Sequence, residues 1–242
     1  MSTKQITGLS ELYSKHWQAL REELLNSGTD LTKLSKPWLV DLVPGYEASS
    51  VKVLIVGKEA NGWGRYADLL EIDRDEAIES LQQKYRSFRQ EQKMAHTPFW
   101  KGAASIHRAL NPDCTDSSFI TTNLIKMDQD KKPSRNRRPV AQMEELICKH
   151  FSVLKEEIAL LKPDVVVFFT GPHYDKRIQQ TFNEIEFDRV EEFKKRHVSR
   201  LVHEDLPLHT YRTYHPGFSM RNSERYFLPV VEALQRLVLK KP

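Results

Sequence analysis

Residues 51–64, VKVLIVGKEANGWG, set an amine, a carboxylate and an amide among three glycines at the end of a short apolar run. A β-branched run closed by glycine predicts a central parallel strand, because a strand covered on both faces shows no in-out alternation. Gly57 lets the backbone turn sharply. Gly62 and Gly64 permit close approach to a ligand, with Glu59, Asn61 and Trp63 between them. Ligands of open α/β sheets bind beyond the carboxyl ends of the strands, so Lys58, Glu59 and Asn61 are candidate site residues. An ordinary strand-to-helix connection is the competing reading of the same stretch. The densest positive charge lies in residues 126–139, KMDQDKKPSRNRRP, where Lys131, Lys132, Arg135, Arg137 and Arg138 crowd around two prolines. A solvated loop and a phosphate-contacting loop are equally open readings of that pattern. His203, His209 and His215 recur every six residues, but no carboxylate or cysteine completes a recognisable ligand spacing, so no metal site is expected.

The elements that must position these residues follow from periodicity. Apolar residues at three- and four-residue spacing from Leu9 to Leu24 predict an amphipathic helix ended by Ser27-Gly28. Residues 36–46 carry Pro37 and Pro44 and predict an extended connection. Residues 65–93, long and charged, predict one or two helices inserted beside the first loop, with a lid or a partner surface as their role. HTPFW at 96–100 reads as a turn, followed by a short helix over 101–110 that Asn111-Pro112 stops. SFITTNL at 118–124 is a second strand, residues 140–161 a single helix stopped by Pro163, and DVVVFFT at 164–170 the clearest buried strand. A helix follows Gly171-Pro172 to about residue 183. Residues 184–203 support no more than a short strand or hairpin. LHTYRTY at 208–214 is a last strand that delivers HPGFSMRN to the same sheet edge, and a helix from about 221 to 239 closes the chain. The pattern predicts a three-layer α/β/α fold around a mainly parallel four-stranded sheet.

With 39% hydrophobic and 29% charged residues, a chain of 242 residues can bury a full core without a second domain. One domain over 1–242 with a helical insertion at about 65–95 is therefore expected. Cys114 and Cys148 suggest neither a disulfide framework nor a metal site. No apolar run approaches the roughly 20 residues of a membrane span and the start lacks an apolar segment, so a soluble, cytoplasmic protein is expected. The net charge of +4 is too small to identify a nucleic-acid binder unless it is concentrated on one face.

Seven segments occur in one order over residues 53–219: VGKEANG, TPFW, TTNLIKM, PSRNRRP, EELICKHF, LLKPDVVVFFTG and TYHPGFS. This order resembles the uracil-DNA glycosylase superfamily, and most of all its family 4 members. There a GEAPG-like loop, a PF pair, a TN strand end, a Pro- and Arg-containing loop, a Cys-containing helix, an LIKP turn and an HPS-type loop follow one another. The chain departs from that family in lacking its iron-sulfur cysteines. Only Cys148 falls on a cluster position, Met127 replaces another, and Ala60 stands in place of the loop proline.

The resemblance implies hydrolysis of the N-glycosidic bond of uracil or another damaged base in DNA, by a monomer with no cofactor and no membrane attachment. The alternative is a catalytically inactive base-sensing protein on the same fold. Bond cleavage develops positive charge on the sugar and negative charge on the base. In these terms Glu59 would stabilise the cation and orient water, and His215 would hydrogen-bond the carbonyl oxygen of the leaving base. Gly57, Lys58, Asn61, Phe99 and Asn123 would form the base pocket, with Asn123 reading the base edge and Phe99 stacking on the flipped base. Arg135, Arg137, Arg138, Gly217 and Ser219 would contact DNA.

Overall fold

The computed structural model describes residues 3–91, 96–114, 118–134, 136–218 and 226–239, with side chains from residue 7 onward. In chain order the elements are α1 (Thr3–Asn26), β1 (Val53–Glu59), α2 (Arg74–Glu91), α3 (Pro98–Leu110), β2 (Ile120–Ile125), α4 (Ala141–His150), α5 (Leu154–Leu161), β3 (Val165–Phe168), α6 (Asp175–Thr181), β4 (Glu186–Arg189), β5 (Val198–Val202), β6 (His209–Thr213) and α7 (Leu228–Leu239). The sheet is six-stranded and mixed, in the order β2-β1-β3-β6-β5-β4. The four-stranded expectation is thereby corrected. Its four strands pair in parallel, but residues 186–202 fold as an antiparallel hairpin that extends the sheet beyond β6. A hairpin within 184–203 is an open reading of the sequence, but its joining the main sheet through β5 and β6 is not foreseen there; the charged β4 sequence, EFDR, suits an edge strand, which needs little apolar residue content.

Helices pack on both faces of the sheet. β1 sends Leu54 and Val56 into a core shared with α1, α2, α4 and α5, and sends Val53 and Ile55 into a second core under α3 and α7. The α1 stripe of Leu9, Tyr13, Trp17, Leu20 and Leu24 is wholly or almost wholly buried. Among the described residues no helix is long and apolar enough to cross a membrane.

Two boundaries differ from expectation in ways that matter. α3 starts at Pro98 rather than after Trp100, since proline is well suited to a first helical position where its missing N–H costs nothing. Phe99 and Trp100 therefore stand on the first turn of a helix. The expected single helix over 140–161 is two, broken at residues 151–153, which allows Phe151 and Val153 both to be buried. The described part of the last helix begins at Leu228, and the expected start near 221 lies outside the described residues.

The break sets α5 so that Glu157 points into the sheet. Its carboxylate accepts a hydrogen bond from Thr122 Oγ1 at 2.8 Å and from the Tyr13 hydroxyl at 2.9 Å, and pairs with the Lys126 ammonium. Lys126 and Glu157 are 2% and 0% exposed, so neither charge has water to fall back on. Removing one partner of such a pair typically costs about 3–5 kcal/mol, because the other is left charged and buried. Lys126→Met should lose about that much in urea unfolding, and Lys126→Met/Glu157→Leu should recover a large part of it.

Candidate functional site

The carboxyl ends of β1 and β2 lie side by side, with Gly57 paired to Asn123. A Cβ at Gly57 would sit 2.3 Å from Asn123 Oδ1, so only glycine lets this amide lie across the strand end. Beyond them opens a cavity of about 760 Å³. Gly57, Lys58, Glu59, Asn61, Phe99, Asn123 and His215, named from sequence, all line it. Residues up to 158 positions apart in the chain thus meet in one place, Gly57 to His215.

Glu59 ends β1 and is partly buried. The Tyr174 hydroxyl donates to its Oε2 at 2.6 Å. Burial raises the Glu59 pKa above the usual carboxylate value, while the Tyr174 hydrogen bond and the charges of Lys58 and Arg138 pull it partly back. His215 has the opposite problem. Burial and then the Lys58 charge push its pKa down to about 4, so the ring is neutral at pH 7. The Gly217 N–H donates to its Nδ1 at 2.9 Å, which places the proton of the neutral ring on Nε2. The site therefore joins a desolvated acid to a neutral imidazole donor.

The His215 loop docks on α3 because Gly102 has no side chain: a Cβ there would lie 2.5 Å from Pro216 Cγ. This contact brings the Phe99 ring to 5.7 Å from the His215 ring, centroid to centroid, at 31°. Phe169 and Trp100 hold Phe99 edge-on at 5.6 and 5.4 Å. Asn123 is 8% exposed, and among the described residues nothing hydrogen-bonds its amide. A paired donor and acceptor thus faces the cavity uncommitted.

The basic loop is organised differently from its sequence reading. Arg137 lines the cavity, but its Nε donates to Asp128 Oδ1 at 2.7 Å, and Asp128 is wholly buried. Arg138 is held by Glu144, with Nη2 donating at 2.7 Å, and its guanidinium lies 4.5 Å from the Tyr174 ring centroid. Both arginines are therefore turned inward by buried acids. Gly217 gives its amide to His215 rather than leaving it for phosphate. Arg135 and Ser219 lie outside the described residues.

Sequence reasoning missed several members of the site. Tyr174 follows β3 by a short turn, and the carboxyl-edge rule that found Glu59 would have found it. Asp128 accepts the Gly62 N–H on Oδ2 at 2.6 Å as well as Arg137 on Oδ1, so one carboxylate fixes both polar loops. The inserted α2 supplies Lys84 and Phe88 to the cavity wall beside Trp38 and Trp63. Lys84 Nζ lies 4.4 Å from the Trp63 ring centroid and donates to the Trp63 carbonyl at 2.8 Å. The insertion is thus part of the site wall. Of the three evenly spaced histidines, His215 lines this cavity, while His203 accepts the Asp205 N–H at 3.0 Å.

No protein-family model matches the chain, and no curated protein matches it.

The Tyr174 hydrogen bond favours the ionised Glu59 and so lowers its pKa. In Tyr174→Phe the carboxyl should titrate at still higher pH than in the wild type, read by ¹³C NMR of labelled glutamate. An unchanged titration would mean that the phenol does not tune this acid.

Proposed function

We propose that the chain is a DNA glycosylase-like hydrolase that cleaves the N-glycosidic bond of uracil or another damaged base in DNA. The observation that carries this reading is the meeting of Glu59, His215, Asn123 and Phe99 around a single cavity. Each has the chemistry its place requires. With Oε2 held by Tyr174, Glu59 presents Oε1 to orient water toward the sugar carbon and to stabilise its developing positive charge. A raised pKa improves it as an acceptor of the water proton. His215 offers Nε2–H to the carbonyl oxygen on which negative charge collects, and its neutrality avoids a proton transfer to the base. The Asn123 amide matches the donor and acceptor edge of a pyrimidine, and the Phe99 face stacks on an extruded base. A cavity of about 760 Å³ holds a base with room to spare.

The charge around the mouth is compatible with a polyanion. Lys58, Lys84 and Arg137 line the cavity. Contacts of these cations with phosphate would give sequence-independent affinity that falls as salt rises.

The test is base release from single- and double-stranded oligonucleotides carrying uracil, hypoxanthine or xanthine. Glu59→Gln should lower release at least about 100-fold while DNA affinity stays nearly unchanged, as loss of a general base does. His215→Ala should also impair release. Activity should fall on the acid side as Glu59 is protonated, over a pH range above that of an ordinary carboxylate. Salt-dependent binding with no release from any substrate would instead support a base-sensing protein on this fold.

A further inference from the structure

We propose that Lys58 is a further catalytic residue of this site, its ammonium stabilising the anion of the departing base alongside His215 Nε2–H. The inference rests on the glycosylase reading. The charges of the site and the leaving base are mismatched. The imidazole of His215 can donate a hydrogen bond but carries no charge at pH 7, whereas the leaving base departs with a full negative one. Hydrogen bonding alone leaves that charge uncompensated beside partly buried groups, where a nearby cation is worth more than in bulk water.

Three cationic side chains line the cavity. Arg137 is committed to the buried Asp128. Lys84 is tied to the carbonyl and ring of Trp63 on the α2 wall. Lys58 stands between Gly57 and Glu59 on β1, and among the described residues no ion pair or hydrogen bond engages its ammonium. Its neighbour Glu59 is already held by Tyr174, and Lys58 Nζ lies 5.7 Å from the Tyr174 ring centroid. Lys58 lines the same cavity as Glu59 and His215, the two groups that the glycosylase reading sets on either side of the scissile bond.

The step balances without a co-reactant other than water. The bond from C1′ to the base nitrogen breaks and its electron pair goes to the base, delocalising onto the carbonyl oxygens. Water adds to C1′ and gives its proton to Glu59. Lys58 keeps its own proton throughout, and the base anion takes one from solvent after release.

The role predicts a dependence on the leaving group. Loss of one preorganised donor to a developing anion costs about 10²–10³-fold in rate. In single-turnover assays at the pH plateau of each variant, Lys58→Met should release uracil about 100-fold more slowly than wild type. The loss should be clearly smaller for 5-fluorouracil, whose anion is intrinsically more stable. Lys58→Arg should restore part of the rate. An equal loss with both bases, or a loss confined to DNA affinity, would overturn the proposal.

A second measurement needs no turnover. Free 5-fluorouracil bound to the protein, followed by its ultraviolet spectrum, should ionise at lower pH in wild type than in Lys58→Met. Identical ionisation, or no binding of the base, would also overturn the role. Lys58-dependent ionisation in a wild-type protein that releases no base would refute the glycosylase reading and keep the anion site.

Discussion

The buried pair of Lys126 and Glu157 is the constraint from which the site end of the molecule is built. It ties β2 to α5, and through the Tyr13 hydroxyl it reaches α1. The chain just beyond it is stitched on both sides. Trp38 N–H donates to the Lys126 carbonyl at 2.7 Å and Ser35 N–H to the Asp128 carbonyl at 2.8 Å. Lys126 points into the core while Asp128, two residues on, holds Gly62 and Arg137. A buried ion pair is a poor source of net stability, because desolvating two charges offsets much of their attraction. Here it fixes where β2 ends, and hence where Asn123 and the Asp128 clamp stand. Its value is positional.

Burial tunes the two titratable groups of the site in opposite directions. Taking a carboxylate out of water favours its neutral acid, and taking an imidazole out of water favours its neutral base. Glu59 and His215 are each moved toward the neutral form by the same pocket. An ionised Glu59 is thereby destabilising to the fold at neutral pH. The folded-state pKa lies above the unfolded value, so the stability attached to the protonated acid is lost as pH rises through that folded value. Sites that strain their own scaffold in this way are where perturbed groups concentrate.

The inserted helix builds the aromatic wall of the pocket. α2 sets Phe88 against Trp63 at 5.3 Å and against Trp100 at 5.5 Å, closing an aromatic arc that runs on through Phe99 to His215. Arg89, on the same helix, is almost fully buried between Trp100 and Phe119 and donates to the Phe119 carbonyl at 2.7 Å. These contacts anchor α2 to α3 and to the start of β2, so the insertion is a fixed wall.

Local pattern alone determined much of this protein. The buried strands at 53–59 and 165–168 declared themselves because double-sided burial leaves an unbroken apolar run, and the α1 stripe did so through its helical spacing. Strand ends followed by polar loops marked Glu59 and His215, and the segment order added Phe99 and Asn123. A hairpin at 186–202 was an open reading, but its place at the edge of the main sheet was not, because that rests on pairing of β4 with β5 and of β5 with β6 rather than on composition. Charge in the basic loop was legible, but its use was not. Whether Arg137 and Arg138 meet phosphate or protein depends on Asp128 and Glu144, and acid and base come together only through the folded backbone. The same holds for Tyr174 on Glu59 and for the tautomer of His215. Sequence fixes which groups exist and which strand carries them; burial and hydrogen-bond partners, which set their protonation, are properties of the packed interior.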